Sequence, residues 1–526
     1  MEYLPRNSRR LLNIREDKGL NEEREIDEIR HIRVRYSTIT GYLSIVYRTL
    51  TGLLFTIIVL RRLTIDEYGL FMLIMAYITL MRPVINIWFF WMYRFYARKR
   101  YDLYAAGGSL NVLYSLLSTA IMYSLTWYYT GDQILSLIVG FSMLLQLFIP
   151  YYNTIMYATR PYLVSYINVI TDTLRVVIVY LLVGIWRIGL IGVIITFFME
   201  SLLKIVFGVV FTSMNKIYVP IPKSKTKDLI IYIKNSYISI LNVVGTQLRN
   251  SGERVLTSII SGSYVFPAYL GVSYISRTLV LGGAQAFTRG IYTRLLRSPS
   301  KTDVEDVLRI TFLTVVFVTG SMIIYAKPII SVVNTQYLNI IPIFIMYSFM
   351  FAILTINILM MNISNALEKE DLYKFGTELK HSILFKNYIT QLLASVLHII
   401  GGTVVFTILL NVGFKDPNIL LMPYPIIGTL SYIYSTIIFH NRIKREIKYN
   451  IPFKELTASI IGSLIVYLVA HYLTWNELII HSVYKEFIPI IVISFTSISI
   501  YTAVVYIISP WFRKMIRNSF SIIIRK

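Results

Sequence analysis

Apolar residues in this chain come in blocks of about 20 or more, recurring from Ser37 to the C-terminus between short polar breaks. As helix, such a block crosses a hydrocarbon core of roughly 30 Å. The pattern predicts about fourteen spans. The first six run over 37–60, 68–91, 107–129, 134–157, 162–185 and 188–212. A charged segment from Ser213 to Asn235, with Pro220 and Pro222, follows as a linker between two bundles. Six more spans run over 236–261, 264–287, 308–333, 339–363, 387–411 and 418–440, and two last ones over 454–474 and 487–509. The expected fold class is an all-α polytopic membrane protein: one lobe over 37–212, a second over 236–440, then 441–526 with two further helices and a basic tail. Residues 1–36 form a polar, charge-rich extension that does not read as a cleavable signal peptide. Within it, Asn21 to Arg35 sets Ile26, Ile29 and Ile32 on one side of a charged helix. That pattern fits a helix on the cytoplasmic membrane surface as well as it fits a solvated tail.

Composition agrees with the pattern. Apolar residues make up 56% of the chain and charged residues only 15%, with a mean hydropathy of +0.61. A soluble domain of this length needs far more surface charge. The net charge of +23 does not point to nucleic acid, because the basic residues sit between apolar blocks rather than on one face. Cysteine is absent, which removes disulfides, thiolate metal sites and thiol nucleophiles. The six histidines (31, 381, 398, 440, 471, 481) show no metal-ligand spacing, and no G-x-x-x-x-G-K-[ST] occurs. No cofactor is expected.

The placement of charge fixes an orientation. With the N-terminus cytoplasmic, about 38 of the 51 basic residues fall on the inside and about 6 outside. The inside groups include Arg94, Arg98, Lys99 and Arg100, then Lys216, Lys223, Lys225 and Lys227, and later Arg442, Lys444, Arg445 and Lys448. Arg61 and Arg62 are the main exception. Both termini are therefore expected in the cytoplasm and the chain in the cell membrane. Outer loops such as Thr130 to Gln133 are too short for an extracellular domain.

Ionisable residues inside spans are costly and mark a pathway or a pair. They concentrate in six spans: Arg48 in span 1, Arg82 in span 2, Asp172 and Arg175 in span 5, Glu200 and Lys204 in span 6, Arg249, Glu253 and Arg254 in span 7, and Arg277 in span 8. Spans 9 to 14 carry no charge at mid-depth. Asp172–Arg175 and Glu200–Lys204 have the spacing of structural pairs on one helix face, and Arg249 can reach Glu253 at i, i+4. Arg48, Arg82, Arg254 and Arg277 then lack a partner on their own helix. Arg48 and Arg277 lie too deep to snorkel, while Arg82 precedes Pro83, where a helix break would free carbonyls for it. Unmatched guanidinium groups call for an anion, and their planar fork suits phosphate or pyrophosphate. Arg48, Arg82, Arg249, Arg254 and Arg277 are the candidate substrate-binding residues, with Asp172 the best candidate for ion coupling.

Two weaker signals accompany these. Pro83, Pro150, Gly282-Gly283, Gly401-Gly402, Pro423 and Pro425 interrupt apolar spans, which permits bending and equally permits close helix packing. The 41 tyrosines read first as interfacial belts.

Leu60-Arg61-Arg62-Leu63-Thr64-Ile65-Asp66-Glu67-Tyr68-Gly69-Leu70-Phe71 resembles the join between helices 1 and 2 of oligosaccharide flippases, where an R-x-L-x-x-x-x-[YF]-G run opens helix 2. Tyr93 to Ala97, Gly252-Glu253-Arg254-Val255-Leu256, Tyr269 to Tyr274, and Pro328 to Ile330 with Gln336 to Pro342 are similar, in order, to later motifs of that family. The family is the polysaccharide branch of the multidrug/oligosaccharidyl-lipid/polysaccharide exporter superfamily, and the resemblance covers residues 37–440. It implies two six-helix lobes forming a V around a central cavity, with helices 1, 2, 7 and 8 lining a cationic site for a lipid-linked sugar. The expected function is therefore a flippase carrying a polyprenyl- or dolichyl-linked oligosaccharide across the membrane by alternating access. Its expected partners are that substrate, membrane lipids and glycan-assembly enzymes, with no nucleic acid, and the chain acts as a monomer. A drug or organic-cation antiporter of the same fold is the alternative, although that chemistry favours unpaired carboxylates. A polytopic glycosyltransferase or polymerase fits less well, because no D-x-D triplet occurs; the chain is not expected to be an enzyme.

Overall fold

The computed structural model describes residues 44, 47–97, 99–223, 229, 232, 237–297, 300–367, 382–481 and 486–524. The 1–36 extension and its expected surface helix lie outside the described residues. Among those residues the regular structure is helical throughout. Helix α1 covers 47–62. Helix α2 runs over Ile65–Met81 and Asn86–Ala97 with a tight 3-10 turn, Arg82–Ile85, between them. Then come α3 (Tyr101–Thr130), α4 (Gln133–Thr159), α5 (Tyr162–Val179, continued by a π-helical turn to Ile185) and α6 (Leu190–Met214). The second set is α7 (Tyr237–Ser261), α8 (Val265–Arg297), α9 (Lys301–Ile324), α10 (Ile341–Ala366), α11 (Ile383–Asn411) and α12 (Pro423–Glu446). Helices α13 (Phe453–Tyr472), α14 (Phe487–Ile508) and α15 (Pro510–Ile524) close the chain.

Ten stretches among the described residues are long and apolar enough to cross a membrane. Helices α1, α7, α8 and α12 stand in the positions of the expected spans 1, 7, 8 and 12. Buried polar and charged side chains such as Gln247, Arg249, Ser251 and Glu253 lower the hydropathy of α7. One of the least apolar long helices is thus one of the most functionally suggestive.

Two lobes and an appendage result. In the first, α3 packs on α4, α4 on α6 and α6 on α5; in the second, α7 packs on α11, α11 and α10 on α12, and α8 on α10 and α9. Helix α13 lies on α9 and α14 on α13, so the last pair stands beside the second lobe. Helix α2 bridges the lobes by packing along both α7 and α8. Loops gather at two ends, called here the short-loop end (61–64, 262–264, 334–340) and the basic end (99–100, 215–223, 447–452).

The short-loop end is tied shut across the lobes. Arg61 Nε donates to the Val332 carbonyl at 2.9 Å and its Nη1 to the His481 carbonyl at 3.2 Å. Asn334 Nδ2 donates to the Leu60 carbonyl at 2.7 Å. Thr64 and Glu67 form a reciprocal capping box that starts α2. One turn on, Gly69 admits the turn between α7 and α8: a Cβ there would sit 1.9 Å from the Tyr264 carbonyl oxygen.

Tyrosines do more than line the interfaces. Tyr104, Tyr232, Tyr337, Tyr347, Tyr424 and Tyr432 are among the largest fully buried side chains. Several donate a hydroxyl to a carbonyl on another element: Tyr104 to Tyr151 at 2.7 Å, Tyr96 to Tyr218 at 2.7 Å, Tyr501 to Leu313 at 2.6 Å. These buried tyrosines fall outside the belt reading, unlike exposed ones such as Tyr128 and Tyr472. In an apolar bilayer a buried hydroxyl needs a partner, and a spare lone pair on a helix carbonyl provides one. Of the helix breakers, Pro83 marks the 3-10 turn of α2, while Pro150 sits within an unbroken α4. Gly402 serves packing instead, since a Cβ there would meet the Tyr424 ring at 2.4 Å.

Candidate functional site

The intramembrane charges sort into one cluster per lobe. In the first lobe, Asp172 (α5) is fully buried and faces three cations: Arg48 Nε at 3.1 Å, Lys204 Nζ at 3.9 Å and Arg175 Nη1 at 4.0 Å. Glu200 (α6) accepts from Arg175 Nη1 at 3.3 Å and from Lys204 Nζ. The two local pairs expected from spacing therefore merge into a single network over α1, α5 and α6, with three cations against two carboxylates. Arg175 also lies over the Phe55 ring, 5.2 Å from its centroid. This corrects two expectations. Arg48 has no partner on its own helix but finds Asp172 on another, because α1 and α5 are neighbours that sequence spacing cannot reveal. Asp172, surrounded by three cations, is not a free coupling carboxylate.

Arg82 differs. It is exposed at the 3-10 turn of α2 and makes no hydrogen bond or ion pair among the described residues, although Glu200 and Arg48 are within electrostatic reach. The carbonyl that the break offers, that of Met81, is taken by the Tyr114 hydroxyl at 2.8 Å instead. Arg82, Thr79, Asn86 and Gln146 line a 310 Å³ cavity between α2 and α4, together with Pro83 and Pro150.

In the second lobe Glu253 (α7) is fully buried. Its expected partner Arg249 is not the one it takes. His398 Nε2 (α11) lies 2.9 Å from Glu253 Oε1, the Tyr347 hydroxyl (α10) donates to Oε2, and His398 Nδ1 meets the Tyr432 hydroxyl (α12) at 2.8 Å. Arg249 Nε and Nη1 are buried with no hydrogen-bond partner. Arg254 Nη2 donates to the Asn250 carbonyl at 2.8 Å, and Arg277 Nη2 donates to the Asn250 side-chain oxygen. Both guanidinium groups lie over Tyr274, at 5.1 and 5.8 Å from its centroid. Aromatic faces and amide oxygens hold these cations in place without neutralising them. Of these three arginines, only Arg254 lies within electrostatic reach of Glu253, whose oxygens are already taken by His398 and Tyr347.

Packing contacts set the depth of each group. Leu73 and Ala76 of α2 join Val255 of α7 in one buried cluster. A Cβ on Gly271 of α8 would lie 2.7 Å from Met72, and one on Gly282 would lie 3.9 Å from Thr49 of α1. Counting about 1.5 Å per residue from these anchors toward the basic end puts Arg249 and Arg277 about 9 Å down, Arg82 about 13 Å and Arg48 about 16 Å. By that count the arginine positions of α1, α2, α7 and α8 lie within a little over one helical turn of one another in height. Arg254 sits higher, at the Val255 level.

His398, Asn250, Tyr274 and Gln146 escaped the reading of the sequence. A lone imidazole inside the apolar run of α11 was the available signal for His398; the amides and tyrosines carry none that separates them from ordinary helix packing. A second, apolar groove of 380 Å³ runs between α8, α9 and α14, lined by Leu279, Phe317, Met322, Ile329, Ile493 and Ile498 among others.

The fold is a two-lobed polytopic helical membrane bundle with a buried charge cluster in each lobe. Solved structures share that fold. The chain is similar to the lipid II flippase MurJ in an inward closed conformation, at 15% identity and TM-score 0.62, over 91% of this chain and 99% of that one. It is similar to a multidrug resistance MATE family transporter of the MOP superfamily in an inward-facing conformation, at 12% identity and TM-score 0.56, over 76% and 95% of the two chains. A MATE structure in the straight conformation aligns at 13% identity and TM-score 0.53, over 78% and 96%. No protein-family model matches the chain, and no curated protein sequence matches it.

Proposed function

We propose that the chain is a transporter that flips a lipid-linked oligosaccharide, carried on a polyprenyl or dolichyl phosphate or pyrophosphate, by alternating access of its two lobes. The observation that carries this reading is the cationic excess at one depth: Arg48, Arg82, Arg249 and Arg277 from both lobes, with Arg82 unpaired among the described residues. Such groups are costly in a bilayer unless an anion visits them. The lobes, closed at the short-loop end, leave the head group to enter from the basic end, and the apolar groove beside α14 offers the prenyl tail a place outside the charged layer. The organic-cation alternative loses support, because Asp172, Glu200 and Glu253 already have cationic or protonated partners.

The test is translocation of a lipid-linked oligosaccharide by the reconstituted protein, comparing parent with Arg82→Ala and Arg277→Ala. Each charge-assisted contact is worth roughly 1.5–3 kcal/mol, so each variant should lose about ten- to a hundredfold in rate while its melting temperature stays near the parent's. Unchanged transport in both variants would reject the anion site. Efflux of an organic cation would favour the antiporter.

A further inference from the structure

The amphipathic helix that closes the chain has no part in the anion site. Ser509 ends α14 in an extended conformation, φ −96° and ψ 107°, and Pro510 opens α15. The elbow is pinned to its surroundings. The buried Ser509 hydroxyl donates to Glu455 Oε1 of α13 at 3.1 Å and accepts from the Phe512 amide at 3.2 Å, which caps α15. Trp511 Nε1 donates to Asp306 Oδ1 of α9 at 2.9 Å, and the Arg309 guanidinium lies 5.6 Å from the centre of its ring. The Asn450 amide, in a basic-end loop, donates to the neighbouring Glu305 at 3.0 Å, which fixes the end concerned. Asp306 lies five residues into α9, so the indole sits about 7 Å inward from the start of that helix. The start of α15 is therefore level with the first turns of α9 and α13, where a bundle passes from hydrocarbon to head groups.

From there α15 divides by face. Trp511, Phe512, Met515 and Ile516 fall on one side at helical spacing, and Arg513, Lys514 and Arg517 on the other. Lys514 and Arg517 are exposed, and none of the three cations makes an ion pair among the described residues. From Pro510 to Lys526 the sequence has five basic residues and no carboxylate. The acidic groups at the elbow are already engaged, Asp306 by Arg309 at 2.8 Å and Glu455 by Ser509. Among the described residues, α15 makes sustained helix contact only with α14.

We propose that α15 is a docking element for anionic phospholipid: its apolar side enters the leaflet at the basic end, and Arg513, Lys514 and Arg517 engage acidic head groups. Apolar contact alone binds any lipid. Cations with no acid of their own add an attraction for anionic lipid only, about fivefold per charge. A protein partner would need an apolar and an acidic surface at that same depth, whereas an acidic leaflet supplies both. This inference is independent of the flippase reading.

The full-length chain in nanodiscs tests it, since it has no cysteine and Ile516→Cys takes a single fluorescent label on the apolar side. Discs of phosphatidylcholine are compared with discs in which about a third of the lipid is phosphatidylglycerol. Quenching by acrylamide, a neutral molecule, should fall about threefold or more in the anionic discs, and about half-molar salt should restore it. Lys514→Gln with Arg517→Gln should weaken docking about thirtyfold and remove the difference between the two lipids. Lys514→Arg with Arg517→Lys keeps the charge and should keep the difference, which separates lipid attraction from a folding defect. Equal quenching in both discs overturns the assignment: strong in both turns α15 toward a protein partner, and weak in both means that the apolar side or the bundle holds it unaided. A lipid difference that survives the double glutamine variant also rejects it.

Discussion

A chain carrying Gly69→Leu should insert and remain monodisperse, yet lose transport by about tenfold or more. Position 69 lies against the turn between α7 and α8, and a Cβ there would stand 1.9 Å from the Tyr264 carbonyl oxygen. That neighbour is backbone, so no rotamer change can relieve the overlap. Helices α2 and α8 must part, or the turn between α7 and α8 must move, and overpacking of this kind costs roughly 1–3 kcal/mol. The same surface is continued by Gly271, where a Cβ would press on Met72 and Tyr68, and by Tyr264, whose hydroxyl donates to the Tyr129 carbonyl at 3.3 Å. The cost therefore falls on the state closed at the short-loop end, and a bias of that size shifts a two-state equilibrium about five- to 150-fold. The chain has no cysteine, so introduced thiols report without background. A Leu73→Cys, Val255→Cys pair, taken from side chains buried together, should cross-link readily in the parent and poorly alongside Gly69→Leu. Unaltered cross-linking and unaltered transport would show that this contact does not govern closure.

The run that first hinted at the fold turns out to act at that same contact. Arg61 ties α1 to the 326–333 segment, Thr64 and Glu67 cap α2, and Gly69 admits Tyr264. Each is a local rule with a local signature, which is why the motif was readable. Span positions were readable for a similar reason: the bilayer demands a fixed apolar length whatever the neighbours are. Pairing of charges was readable only in part: Glu200 meets Lys204 and Asp172 stands 4.0 Å from Arg175, as spacing proposes, while Arg249 does not pair with Glu253. Spacing along one helix proposes Asp172 with Arg175 and Arg249 with Glu253, but electrostatic partners in a bundle are chosen by which helices touch. Asp172 reaches across to Arg48 and Lys204, and Glu253 across to His398 and Tyr347. In each case the i, i+3 or i, i+4 rule describes an isolated helix, while burial makes the nearest donor on any helix the better partner. His398 shows the other side of this. In sequence it is one polar residue in an apolar span, and only the approach of α7, α10 and α12 makes it the partner of Glu253.

The network around Asp172 leads to the second large effect. Asp172→Asn should destabilise the first lobe by roughly 3–5 kcal/mol, the cost of leaving buried charge without its counter-ion. After the change, Glu200 alone answers Arg175 and Lys204, whose side chains are only 14% and 11% exposed, while Arg48, 49% exposed, can turn to water. The penalty therefore resides on α5 and α6, and it should be relieved by removing a cation there. Asp172→Asn combined with Lys204→Met restores a one-to-one match between Glu200 and Arg175, and should recover most of the loss, with a coupling energy of roughly 1–3 kcal/mol. Arg48→Ala in place of Lys204→Met should recover little, because the solvated guanidinium was not the buried liability. Thermal unfolding of the four proteins in detergent gives the comparison directly. Melting of Asp172→Asn at the parent's temperature, or equal rescue by Arg48→Ala, would mean that these charges are already solvated in the resting protein. The same measurement separates scaffold from site: a network that holds the lobe together should move stability first, whereas Arg82→Ala should move transport and leave the melting temperature in place.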